Sequence, residues 1–231
     1  MNVSVIIPTF NEEKNIETTL LALKSQTKPP KEIFVVDNFS KDKTVKIARK
    51  YAKVIRAKSS VAEARNIGAS KARSQLLLFL DADTLLLPNA IEQLSNEFKE
   101  KDVVIASLPL YPLQMKVKHY MLTKIGWEFI PKLFAKYAKK PLFCGACMMV
   151  RRSAFKKVGG FREDLKAGDD IDFAQRIGEL GKSAFCTKTF ALTDMRRFEE
   201  NSFYWTIYWV AFFIYYKLTK RGFKKPPKII R

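Results

Sequence analysis

The sequence predicts an α/β fold built on a mostly parallel central sheet with helices on both faces, and three observations carry that prediction. Short apolar runs alternate with amphipathic stretches through the first hundred residues, the rhythm of successive βαβ units. One run, Leu76 to Leu80, contains no polar position, as a strand buried on both faces requires. Polar loops follow these runs in the same sense, so they gather along one rim, where open α/β sheets hold their ligands.

Taken in order, Val3 to Ile7 reads as the first strand. The loop Pro8-Thr9-Phe10-Asn11 then caps a helix over 12–25, with Glu12 and Glu13 in the first turn, where the helix dipole favours acids. Ile33 to Val36 is the second strand, followed by the loop Asp37-Asn38-Phe39-Ser40 and a helix over 42–51. A weaker strand from Val54 to Arg56 leads to a helix over 61–72; the buried strand Leu76 to Leu80 leads to Asp81-Ala82-Asp83 and a helix over 88–99. Val103 to Ala106 is a further strand.

From Pro109 to Pro141 the chain mixes aromatic, aliphatic and basic residues with hardly an acid. As a helix it would carry an apolar stripe flanked by lysines, suited to lying on a membrane or to packing on the domain. GACMMVRRSAFKKVGGF then reads as a strand leading into a helix that stops at Gly159-Gly160. Phe203 to Leu218 is dominated by aromatics and precedes the tail KRGFKKPPKIIR. It is short for the roughly 20 residues that span a bilayer, and its Trp and Tyr content suits the interface; the expectation is a membrane-seated helix, with a buried terminal helix or a dimer contact as the alternative. The chain therefore divides into a domain over 1–200 and a membrane-associated aromatic helix with a basic tail over 201–231.

The 231 residues carry 42 basic against 23 acidic side chains, a formal charge of +19, so nucleic acid, anionic lipid and phosphorylated substrates are the candidate partners. Three cysteines, Cys144, Cys147 and Cys186, cannot all pair, and the start MNVSVIIPTF lacks signal-peptide features; the expectation is a reducing, cytoplasmic setting. The C-x-x-C of Cys144 and Cys147 has no second pair, and the single histidine is His119, which argues against structural zinc. Asp81 and Asp83 follow the most apolar strand. Carboxylates two residues apart repel unless a cation lies between them, and a hard ion such as Mg²⁺ or Mn²⁺ needs only oxygen ligands. The competing reading is an N-cap or turn aspartate.

VSVIIPTFNEEKNI, EIFVVDNFSKDKT, ARNIGASKAR, LLFLDADT, GACMMVRRSAFKKVGGF and GDDIDFAQRI, in that order, resemble the motif series of family 2 glycosyltransferases with the GT-A fold, over roughly residues 2–197. The resemblance implies an inverting, metal-dependent transfer of a sugar from a nucleotide-sugar donor. It implies that Pro8, Thr9, Asn11, Glu12 and Asp37 hold the nucleotide, with Arg65 near the diphosphate. It makes Asp81 and Asp83 the D-x-D pair, Asp83 reaching the Mn²⁺ or Mg²⁺ and Asp81 the ribose or a metal-bound water.

It also implies that GDDID supplies the general base, a part for which Asp169, Asp170 and Asp172 compete; the second position of the family's acidic pair falls on Asp170, with Asp169 near the N-cap or the acceptor. The late histidine of some relatives is missing, so Asp194 or water would complete the metal sphere. Arg196 and Arg197 stand where basic residues contact donor or acceptor phosphate, or else form a solvated patch.

A basic, aromatic surface motivates a lipid-linked or phosphorylated acceptor at the cytoplasmic face of an anionic membrane. Two other functional classes compete with this reading. A sugar nucleotidyltransferase would need a glycine-rich phosphate loop near the first strand, where this chain reads PTFNEEKN. A nucleic-acid-binding module fits the charge, but phosphodiesters would meet Asp37, Asp81, Asp83, Asp169 and Asp170 on the predicted rim, so no nucleic-acid partner is expected.

Overall fold

The computed structural model describes residues 1–114, 128–133, 141–165 and 167–194. Their elements run β1 (Val3–Thr9), α1 (Ile16–Lys24), β2 (Glu32–Asp37), α2 (Thr44–Ala48), β3 (Lys53–Arg56), α3 (Val61–Lys71), β4 (Leu76–Leu80), β5 (Thr84–Leu86), α4 (Ala90–Glu97), β6 (Val103–Ser107) and β7 (Leu110–Pro112). They continue with α5 (Ile130–Leu133), β8 (Cys147–Arg151), α6 (Arg152–Lys157), α7 (Asp169–Gly178), β9 (Lys182–Phe185) and β10 (Ala191–Thr193).

The main sheet has the order β3-β2-β1-β4-β8-β6-β9. Pairings among β3, β2, β1 and β4 and between β6 and β9 are parallel, while β8 runs antiparallel to both its neighbours. A smaller sheet, β5-β10-β7, lies beyond the carboxyl end of β4. Alternation along β1 divides the core: Val3, Val5 and Ile7 pack with Ile16, Leu20, Leu23, Leu94 and Phe98, whereas Ile6 packs with Ala62, Ala69, Phe155, Phe161 and Phe173. All five β4 residues are buried, as a central strand covered on both faces demands.

Most of the expected elements are present within a residue or two at each end; α2 stops at Ala48, three residues short of the expected helix, and α1 departs most. It begins at Ile16 because residues 12–15 form a separate turn, closed by the Asn15 and Ile16 N–H groups on the Glu12 carbonyl. Glu12 and Glu13 are therefore loop residues: the Glu12 N–H donates to Thr44 Oγ1, and Glu13 accepts from the Lys43 N–H. The strand and helix read from GACMMVRRSAFKKVGGF are β8 and α6, and Gly159 and Gly160 after them have φ of 76° and 75°, the left-handed conformation that favours glycine. Among the described residues no helix is long and apolar enough to cross a membrane. The aromatic helix expected over 203–218, the basic tail and most of 109–141 lie outside the described residues.

Candidate active site

The site lies where β1, β2 and β4 end and β8 begins. Thr9 pairs with Asp37 at the last rung of β1 and β2. Beyond it two loops are laced together: the Asn11 N–H donates to Ser40 Oγ at 2.8 Å, Asn11 Oδ1 accepts from the Lys41 N–H at 2.9 Å, and the Glu13 N–H donates to Asp42 at 3.1 Å. Asn11 and Phe39 adopt positive φ, 53° and 55°, so the rim is held in a conformation that costs free energy, above all for a bulky residue. The Phe39 ring is half exposed, with the Arg56 guanidinium 4.7 Å from its centroid.

Asp37 has no solvent exposure. Its Oδ2 accepts from the Ser40 N–H at 3.0 Å and meets Arg56 Nε at 3.4 Å, while its Oδ1 has no hydrogen-bond partner among the described residues. A buried, unsatisfied acceptor is costly unless a donor arrives.

Asp81 leaves β4 with its N–H on the Ala146 carbonyl, at the start of β8, and Thr19 of α1 donates to the Ala82 carbonyl at 2.7 Å. The Thr84 N–H closes the turn onto Asp81, and the Asp194 N–H reaches the Asp83 carbonyl at 3.3 Å. The D-x-D turn thus joins the two sheets. Among the described residues no three carboxylate, imidazole or thiol side chains converge as a finished metal cage. Asp81 is nevertheless 39% exposed along its side chain, and an all-oxygen pair such as Asp81 and Asp83 is of the chemistry that could hold a hard divalent ion.

Arg65, on the inner face of α3, is only 4% exposed. Its Nη2 meets Asp81 Oδ1 at 3.2 Å and its Nη1 meets Asp169 Oδ2 at 2.9 Å; the guanidinium lies 5.3 Å from the Phe161 ring centroid. Burial disfavours its charge, but Asp169, Asp81 and Asp170 outweigh that and hold it protonated.

Asp170, part-buried at the start of α7, accepts from the Gly145 N–H at 2.8 Å and from the Ile171 N–H at 2.9 Å. Burial pushes its carboxyl up to about 6 and the Asp169 charge adds to this, while Arg65 and the two N–H groups oppose it. A carboxylate raised into that range is a better proton acceptor than an ordinary one. Asp172 is different: it is buried, with Arg176 Nε at 2.6 Å and Arg162 at 3.7 Å, and Arg176 also donates to the Val158 and Gly160 carbonyls. Its work is to fasten α7 to the turn after α6.

The structure therefore collects Pro8, Thr9, Asn11, Glu12 and Asp37 on one side of the rim, and Asp81, Arg65, Asp169 and Asp170 in one contiguous charged group. Arg196 and Arg197 lie outside the described residues. Sequence reasoning passed over Arg56 and Gly145. The available signal for Gly145 was a glycine at the mouth of an apolar strand, which often marks a close approach.

Residues 4–159 match the family described as "Glycosyl transferase family 2". The chain is similar to an uncharacterized glycosyltransferase of Haemophilus influenzae, 25% identical over 187 residues, covering 75% of this chain and 61% of that protein. It is also similar to a cholesterol galactosyltransferase of Borreliella burgdorferi, 28% identical over 223 residues, covering 87% of this chain and 62% of that protein. Among solved structures, TarS of S. aureus superposes with a TM-score of 0.69 at 21% identity, over 84% of this chain and 60% of that one. A mannosyltransferase of Pyrobaculum calidifontis, solved with GDP-Man and Mn²⁺, gives 0.63 at 22% identity, over 83% of this chain and 56% of that one. The fold is that of these transferases, the GT-A fold, and the chain spans about three fifths of the length of these relatives.

Proposed function

The chain belongs to glycosyl transferase family 2, and we propose that it transfers a sugar from a nucleotide-sugar donor to an acceptor hydroxyl with inversion at the anomeric carbon. The observation that carries this reading is the placement of Asp170, a carboxylate raised to about 6, in the same charged group as the D-x-D aspartate Asp81. One is suited to take a proton, the other to hold the leaving group's counter-ion.

In this mechanism Asp37 Oδ1 accepts an N–H of the donor base, and the loop of Pro8, Thr9, Asn11 and Glu12 borders the nucleoside, with Arg65 beside the diphosphate. Asp83 and Asp81 would hold a Mn²⁺ or Mg²⁺, and such an ion would supply neutralisation of the charge on the departing diphosphate. The acceptor oxygen forms the new bond to the anomeric carbon as the bond to the diphosphate breaks, and its proton passes to Asp170; Asp169 flanks that base. The B. burgdorferi relative is named for a lipid acceptor, and poly(ribitol-phosphate) names the acceptor of a S. aureus relative, 32% identical over 110 residues. With a charge of +19, these support a lipid-linked or phosphorylated acceptor at the cytoplasmic membrane face.

Calorimetric titration of UDP, GDP, CDP and TDP, with and without Mn²⁺, tests the donor side. One nucleotide is expected to bind in a Mn²⁺-dependent way and to lose that binding in Asp83→Ala; a full set of failures with folded protein overturns the reading. Asp170→Asn is expected to keep nucleotide affinity within about twofold while donor turnover falls by about 10²-fold or more.

A further inference from the structure

Donor-side and acceptor-side carboxylates belong to segments far apart in the chain, yet one guanidinium holds both. Arg65 grips Asp81 at the end of β4 and Asp169 at the start of α7, across 16 and 104 residues of sequence. The space it fills is bounded by Gly145: a Cβ there would overlap Nη2 and approach Cζ to 2.8 Å. The N–H of the same glycine fixes Asp170. Glycine at 145 thus does two things at once, admitting the guanidinium and presenting a backbone donor to the adjacent carboxylate.

From this geometry we infer that Arg65 is a positioning residue that couples the cation-binding end of β4 to the acidic start of α7, and that Gly145 is the residue shaped to seat it. The inference rests on the reading of Asp81 and Asp83 as cation ligands. The guanidinium is shared between two anions, so what one gives up the other gains. While Asp169 draws Arg65 toward α7, Asp81 keeps an exposed oxygen free to meet a cation. Without the Asp169 charge, Arg65 settles on Asp81 and competes with the cation for it. In the other direction, a cation that engages Asp81 leaves Arg65 to Asp169 and Asp170, drawing the acceptor-side carboxylates into register as the donor arrives.

The test is a double-mutant cycle on the full chain, read by the electron paramagnetic resonance signal of free Mn²⁺ as the ion is titrated in, alone and with UDP. Asp169→Asn, which removes no proposed cation ligand, is expected to weaken Mn²⁺ binding by about fivefold or more in the native background and by less than about twofold beside Arg65→Met. Gly145→Ala keeps every charge but displaces the guanidinium, and is expected to shrink the Asp169→Asn effect in the same way even where Arg65→Met fails to fold. Arg65→Lys separates positioning from simple neutralisation: a single ammonium lacks the planar fork that reaches both carboxylates, so it should restore thermal stability without restoring the coupling.

An equal Asp169→Asn effect with and without Arg65, no Asp169→Asn effect at all, full rescue of the coupling by lysine, or no Mn²⁺ binding under either condition would each overturn the inference. Normal coupling on Mn²⁺ alone, with no contribution from UDP, GDP, CDP or TDP when each is added in turn, would instead leave it standing and remove the nucleotide-sugar reading.

Discussion

At the scale of single residues, Asp170 makes the most direct predictions. Its carboxyl stands raised to about 6 in the folded protein, against an ordinary value near 3.8. As the proposed base it must be ionised, so donor turnover should fall as pH drops through about 6, by roughly tenfold for each further pH unit. The linkage to stability has the opposite sense. A carboxyl with a raised folded-state value contributes stability below the unfolded value, and loses it as pH rises through the folded one. Asp170→Asn, which cannot ionise, should therefore gain on the native protein between pH 4 and 6, by on the order of 3 kcal/mol in urea-unfolding free energy, and then run parallel to it. The residue-level site was partly legible in the sequence because Asp81, Asp83 and the GDDID cluster are carboxylates beside recognisable strand and helix signals. Choosing Asp170 over Asp172 as the proton acceptor gains support from tertiary contact, since Arg176 and Arg162 occupy Asp172. The glycine before β8 hinted at a close approach, but that its partner is Arg65 left no local trace, because the contact joins segments 80 residues apart.

Among the elements, α3 matters most to the site, since it carries Arg65. Its start is fixed by a capping box: Ser60 accepts from the Glu63 N–H, and Glu63 accepts from the Ser60 N–H. Ser60→Ala is expected to cost about 1 kcal/mol in denaturant unfolding. Further along, Gly68 lies so close to β1 that a Cβ would overlap Ile6 Cγ2. Gly68→Ala should destabilise by about 1–3 kcal/mol through overpacking, despite the higher helix propensity of alanine, and should loosen Mn²⁺-dependent nucleotide binding by tilting Arg65. The signals that give α4, β4 and β8 are strong because each buries an apolar stripe or run, whereas α3 buries small residues and Arg65 and carries little amphipathic period. The signals for β5, β7 and β10 are not strong, because three residues show no period. The start of α1 misleads for another reason: Glu12 and Glu13 look like first-turn acids, but the loop beside α2 claims both their backbone N–H groups and the Glu13 carboxylate.

On the scale of the whole molecule, charge and topology set the terms. If the basic surface and the segment after Asn201 seat the protein on anionic lipid, the full chain should float with phosphatidylserine vesicles without detergent. Recovery should fall as salt rises, and truncation after Asn201 should reduce it; unchanged recovery would remove the anchoring idea. The parallel left half of the sheet was readable from the βα rhythm, whereas the reversal of β8 between β4 and β6 was not, since an isolated apolar strand does not declare its direction. That reversal also bears on how the chain is made. Until Cys147–Arg151 leaves the ribosome, the whole edge of Leu76–Leu80 has no strand beside it on that side, and all five of its side chains are destined for the interior. The nascent protein thus carries an open, sticky strand through the synthesis of some 70 further residues, a hazard for aggregation. The strand that finally covers this edge also brings Gly145 against Arg65, whereas Asp169 and Asp170 follow it in the chain, so the charged group is completed only after the edge is covered.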